Sequence, residues 1–233
     1  TGKGFIDKAI AYLREGFDII TFGDMLKVPG SFSSLQIEDS SKVHVIYNPL
    51  KAVQIARDNP EKKFLFLGIG FETTSPLIAA LVNDRFSLEI KNLFLLLACK
   101  LMPPALTAIL KDKEMVMDGF ILPGHVSAVI GASPYRKVFS GSELCGVVSG
   151  FEPEDILESI IMLLNMIYTN KTDIKIQYKR VVKEYGNPYA QQQIDRVFEK
   201  KEAYWRGFGV IPESGVKLRD EFKDMDIEKV YPV

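Results

Sequence analysis

The period of apolar and polar residues changes several times along the chain. At the start, Ile6, Ala9, Ile10 and Leu13 recur at three- and four-residue intervals and Gly16 follows as a natural C-cap. That spacing predicts an amphipathic helix over residues 3–15. DIITF (18–22) and VHVIY (43–47) read as short strands. The first ends in Gly23-Asp24; the second leads into Asn48-Pro49, an N-cap and first-turn proline opening a helix to about Arg57. KFLFLGI (63–69) and NLFLLLA (92–98) are apolar without alternation, as strands covered on both faces are. GFILPG (119–124) and GVVSG (146–150) are further strand candidates. Helix-like segments follow at 74–84, 103–111, 125–131 and 153–168, the last with Ile156, Ile160, Leu163, Leu164 and Ile167 on one face. Strands alternating with helices predict βα units and a parallel sheet. Past Thr169 the chain is polar and helix-prone to residue 205, with a restart at Asn187-Pro188, and WRGFGVIPESG (205–215) reads as a Gly/Pro-rich loop. This tail is expected to pack back on the α/β body.

Composition narrows the partners. With 29 basic and 30 acidic residues the net charge is −1, which removes any bulk electrostatic case for nucleic acid or an anionic membrane. No apolar run approaches the ~20 residues of a membrane helix. Two cysteines, Cys99 and Cys145, form neither a CxxC pair nor a disulfide framework, which fits a reducing, cytoplasmic compartment. The chain opens with Thr1-Gly2-Lys3 rather than Met, so the true N-terminus is expected upstream.

Candidate chemistry gathers where strands end. Parallel sheets bind ligands beyond the carboxyl ends of their strands. Here those ends carry Asp24, then Gly70-Phe71-Glu72-Thr73-Thr74, then Gly124, His125 and Ser127, then Gly150-Phe151-Glu152. Amides at the following helix N-termini favour anions, hydroxyls can donate to a polar ligand, and His125 can carry a proton, ligate a metal or donate. The structural alternative stands beside this: Thr, Ser and acidic residues before a helix also serve as caps worth about 1 kcal/mol each. The repeated Gly-Phe-Glu is either a duplicated βα unit or a common turn solution used twice. His44, inside a strand pattern, reads as structural. GIGFET lacks the third glycine of a dinucleotide fingerprint, and neither a P-loop, a GxSxG elbow nor zinc-spaced His/Cys is present.

These segments also resemble a known family. GFETTSP (70–76), PPAL (103–106), LPGHVSAVIG (122–131), SGFEPEDIL (149–157) and WRGFGVIPESG (205–215) look like the signature segments of the hydrogenase maturation factor HypD, and TFGDMLKVPGS (21–31) matches as well. The resemblance runs from Phe5 to about Phe222. It implies Rossmann-like parallel-sheet lobes facing a cleft, with a helical C-terminal tail packed on them: a first lobe over 1–70, a second over 71–170 and the tail over 171–233. It implies a scaffold, rather than an enzyme, on which the iron–dicyano–carbonyl unit of NiFe hydrogenase is assembled together with HypC- and HypE-type partners. Gly70, Glu72, Thr73, Thr74, Gly124, His125, Ser127 and Glu152 are then cleft-lining residues.

The family's 4Fe-4S cluster and cysteine motifs lie before and after the matching region, so no cofactor or metal ligand is expected on this chain. Cys99 stands where the family pattern implies histidine, and Cys145 matches no cysteine motif. The chain then reads as a fragment or as a cysteine-poor relative. Two other readings stay open: a small-substrate enzyme using Glu72, His125 and Glu152 as acid and base groups, and a two-lobed small-molecule binding protein.

Overall fold

The computed structural model describes residues 2–112 and 114–233. Its first helix, α1 (Lys3–Arg14), buries Ile6, Ala9, Ile10, Tyr12 and Leu13, and Gly16 at φ 93° lets the chain turn into β1 (Asp18–Thr21). β2 (Val43–Val45), α2 (Leu50–Asp58), β3 (Phe64–Gly70), α3 (Ser75–Ser87) and β4 (Leu93–Cys99) follow. The four strands form one parallel sheet in the order β2-β1-β3-β4. The absence of alternation in β3 and β4 has a direct cause. Phe64, Phe66, Leu93 and Leu95 face a core completed by α2 and α3, while Leu65, Leu67, Phe94 and Leu96 face a second core under α1.

A second parallel sheet follows the helix α4 (Met102–Leu110). It comprises β5 (Gly119–Pro123), β6 (Cys145–Ser149) and β7 (Ile174–Ile176) in that order. Between β5 and β6 run α5 (Gly124–Ile130) and α6 (Ser133–Phe139), and α7 (Pro153–Tyr168) connects β6 to β7. Leu122, Val148 and Ile174 pack with Tyr135 and Phe139 on one face, and Cys145 and Val147 pack with Met166 on the other. The first hydrogen-bonded sheet runs through the 70/71 boundary, since β4 pairs with β3 along its length. β7 likewise joins the second sheet from beyond residue 170.

The tail corrects a local expectation. After α8 (Pro188–Val197) the chain forms an antiparallel hairpin, β8 (Phe198–Trp205) and β9 (Gly209–Leu218), where the sequence reads as helix-prone and then as a loop. Lys and Glu favour helix only weakly, and tertiary pairing overrides them here. Glu199 lies opposite Lys217 in the ladder and bonds it at 2.8 Å, while Phe198, Val216 and Leu218 enter the core of the first sheet. The closing segment, a 3-10 turn at Asp220–Met225 and the short α9 (Ile227–Val230), buries Phe222, Met225 and Ile227 against the same body. Among the described residues no helix is long and apolar enough to cross a membrane.

Candidate functional site

The turn after β3 is built around one glycine. Gly70 sits at φ 147°, and a Cβ there would lie 2.5 Å from the Thr74 hydroxyl, so only glycine lets Phe71–Thr74 fold back over the strand end. This turn drives Glu72 inward to 3% exposure. Its Oε1 accepts the Met102 N–H at 2.8 Å, so it caps the neighbouring helix α4 rather than its own. Its Oε2 is buried without a hydrogen bond. Burial pushes the carboxyl up to about 7, against the pull of its own and the Met102 amides. Thr74 occupies the N-cap of α3 without a side-chain cap bond; Ser75 Oγ instead donates to the Phe71 carbonyl at 3.0 Å. Thr73 is exposed.

The second sheet's edge is organised differently. Gly124 lies where β5 and β6 converge, and a Cβ there would sit 2.2 Å from the Ser149 carbonyl oxygen. Ser127 is fully buried and donates to the Pro123 carbonyl at 2.8 Å, bracing the first turn of α5. His125 is exposed; its ring stacks on Phe151 at 4.4 Å, with Tyr178 at 6.3 Å on a further side. Glu152, also exposed, holds the N-cap of α7, and its N–H donates to Asp155 at 3.4 Å. Asp155 accepts two bonds from Arg180, at 2.6 and 2.5 Å, and one from Gln177 at 2.9 Å. The Arg180 guanidinium holds the Asp155 carboxyl down to about 2 and itself lies over the Tyr178 ring at 4.4 Å.

Two further buried polar groups lie near these edges. Tyr135 of α6 is fully buried beside Ser127, its hydroxyl without a hydrogen bond. Burial raises its pKa and the Glu72 charge adds to the rise. Cys99, at the end of β4, is pushed up to about 12 by burial, with the same carboxylate contributing. The Glu72 charge thus acts on Cys99 at the end of β4 and on Tyr135 of α6. Glu72 also reaches the wall of a cavity of about 680 Å³ between α4, α6, α8 and the hairpin, otherwise lined largely by apolar groups such as Leu101, Pro104, Ile194 and Val216. Thr73, His125 and Glu152 do not line it. Asp24 is exposed on a 3-10 turn, and His44 bonds Asp18 at 3.0 Å within the sheet.

Over residues 1–233 the chain matches the model of the HypD family, described as the hydrogenase formation hypA family. The chain belongs to this family. It is 37% identical over 238 residues to the hydrogenase expression/formation protein HupD of Azotobacter chroococcum, covering 98% of this chain and 63% of that protein. The hydrogenase maturation factor HypD of Rhodobacter capsulatus is 38% identical over 91% of this chain and 57% of its own length. That of Escherichia coli is 36% identical over 89% and 57%. The chain thus spans less than two thirds of the length of these relatives.

The donor set present does not fit a 4Fe-4S cluster, which four thiolates normally hold. Cys99 ends a strand of the first sheet, Cys145 begins one of the second, and both are buried with raised pKa values. Among the described residues no three His, Cys, Asp or Glu side chains are grouped to hold a metal ion. Tyr135, Tyr178 and Arg180 escape sequence reading because nothing in their local pattern marks them. Asp155 carries a legible signal, an acidic residue three positions after the Glu152 N-cap.

Proposed function

We propose that this chain is the α/β scaffold of a NiFe-hydrogenase maturation protein, on which the iron–dicyano–carbonyl unit is assembled with HypC- and HypE-type partners. The observation that carries this reading is Glu72: a signature-motif carboxyl buried at the end of β3 with one oxygen unpaired, whose charge acts on Tyr135, the neighbour of Ser127 in a second signature motif. Three relatives named as hydrogenase formation or maturation proteins supply the reaction context. In this reading the iron unit is cargo, and Gly70, Thr73, Thr74, Gly124, His125 and Glu152 form the rim that receives it. Glu72, with a carboxyl poised near neutrality, holds or releases a proton beside it. His125, exposed and stacked on Phe151, offers a donor at the same rim.

The cavity favours a second reading, in which α4, α6, α8 and the hairpin enclose a small, mostly apolar molecule that donates a hydrogen bond to Glu72. An acid–base enzyme using Glu72, His125 and Glu152 together has weaker support, because only Glu72 reaches that cavity. The test is complementation of a strain lacking HypD by a full-length family protein carrying each change, run beside melts of each purified variant. His125→Ala should stay folded and fail to support hydrogenase maturation. Full maturation by a stably folded His125→Ala protein would return His125 to a structural role.

A further inference from the structure

The start of α4 has no N–H left to give. The first four amide positions of a helix lack partners within it. Here the Leu101 N–H donates to the Ser214 carbonyl at 2.8 Å and the Met102 N–H to Glu72 Oε1 at 2.8 Å. The next two positions are Pro103 and Pro104, which carry no N–H. Glu72 therefore gathers a single amide from this helix, and its Oε2 has no hydrogen-bond donor among the described residues.

The cavity wall does not supply the missing donor. Thr107 spends its hydroxyl on the Pro103 carbonyl at 3.0 Å, and the Gln191 amide donates to the Val129 and Tyr185 carbonyls. Of the charged groups, Glu199 bonds Lys217 at 2.8 Å and Lys200 lies 3.8 Å from Glu213. Lys111 stands at the opposite end of α4 from Met102, ~13 Å away at ~1.5 Å per residue, and is offset on the same wall by Asp195. Among the described residues, Glu72 is thus left as an uncompensated charge on a largely apolar wall.

We propose that the cavity binds a small organic amine as its cation, a ligand class that rests on the cavity reading of Glu72. The ammonium donates to Glu72 Oε2 while the apolar body packs on Pro104, Ile194 and Val216. A neutral alcohol would supply the hydrogen bond and leave the buried charge unmatched; a carboxylate or phosphate would add a second negative charge to it. An ammonium supplies both donor and charge, and a charge-assisted bond is about twice as strong as a neutral one. The cavity, about 680 Å³, is of the size that encloses small molecules. Free Glu72 titrates at about 7, while the groups its charge reaches, Cys99 of β4 and Tyr135 of α6, have raised pKa values and stay neutral to pH 8. An amine cation selects the ionised carboxyl, so its affinity should rise ~30-fold between pH 5.5 and 8.

The test is isothermal titration calorimetry with 4-phenylbutylamine, 4-phenylbutanol and 4-phenylbutyrate, three probes that differ only in the head group. At pH 8 the amine should bind at least ~10-fold tighter than the alcohol, and the carboxylate should bind most weakly. At pH 7, in buffers of different ionisation enthalpy, amine binding to the wild-type protein should release about half a proton. Glu72→Gln keeps the acceptor for Met102 and should lose both the pH dependence and the preference for the amine. Asp195, Glu199, Glu213, Lys111 and Lys200 are unchanged in that variant, so the difference isolates Glu72. Ala108→Trp, which fills the cavity from α4, should block amine binding. Amine affinity that does not change with pH overturns the proposal, as does unaltered amine binding by either folded variant. Tighter binding of the alcohol overturns it and leaves the cavity reading standing, whereas binding of none of the three overturns both.

Discussion

Replacing Glu72 by glutamine isolates the consequence of burying one carboxyl. Glutamine keeps an oxygen for the Met102 N–H and puts an amide where Oε2 now has no partner. In the folded protein the carboxyl titrates at about 7 instead of 4.5 because burial disfavours the ionised form. The group's folded pKa is therefore raised, and its favourable contribution is fully present below pH 4.5 and lost as pH rises through 7. A shift of this size corresponds to ~3 kcal/mol of stability lost on complete ionisation. Glutamine does not ionise, so the wild-type protein should lose ~3 kcal/mol relative to Glu72→Gln between pH 5 and about pH 8.5. For a chain of 150–250 residues that is roughly 6–12 °C in relative Tm. The assay is urea and thermal unfolding of both proteins across that pH range, taking the difference at each pH so that shared titrations cancel. A difference constant with pH would refute the reasoning, because Glu72 would then ionise normally in the folded state.

Other outcomes are open to measurement. Arg180→Ala leaves Asp155 without its two guanidinium bonds, so neutral stability should fall. Because Asp155 has a depressed folded pKa, its contribution is present above pH 3.8 and lost as pH falls through about 2. Acid titration monitored by circular dichroism should show that loss in the wild type and not in Arg180→Ala. Gly124→Ala forces a methyl against the Ser149 carbonyl and should cost about 3 kcal/mol or more in denaturant unfolding, whereas Gly141→Ala, at φ 81° with open space around it, should cost only ~1 kcal/mol. Equal losses would show that the close approach at Gly124 relaxes. Cys99 should resist iodoacetamide at pH 8 in the native protein and react in urea, as mass spectrometry will show, because burial holds its thiol at about 12. Anaerobic reconstitution should yield no stoichiometric 4Fe-4S absorption, and a stable cluster would overturn the reading of the donor set.

Local pattern by itself determined the βα succession through α7. The apolar runs of β3 and β4 and the glycines and prolines at their ends are signals within a few residues of the elements they define, and helix or strand period follows from such neighbours. The signature motifs also marked the strand ends as the candidate site. The hairpin at 198–218 was not legible, because the Glu199–Lys217 pair and the core contacts of Val216 and Leu218 join residues far apart in sequence. The division into two sheets was expected from the family resemblance but not from the local pattern, since which strands pair depends on which apolar faces meet. The same holds for the site. Sequence named Glu72 as a cap or a binding group, but its burial, its bond to the Met102 amide and its orphaned oxygen arise only when α4 packs against the turn. Desolvation is a property of the packed body, and so the proton affinity of Glu72 was decided by tertiary structure alone.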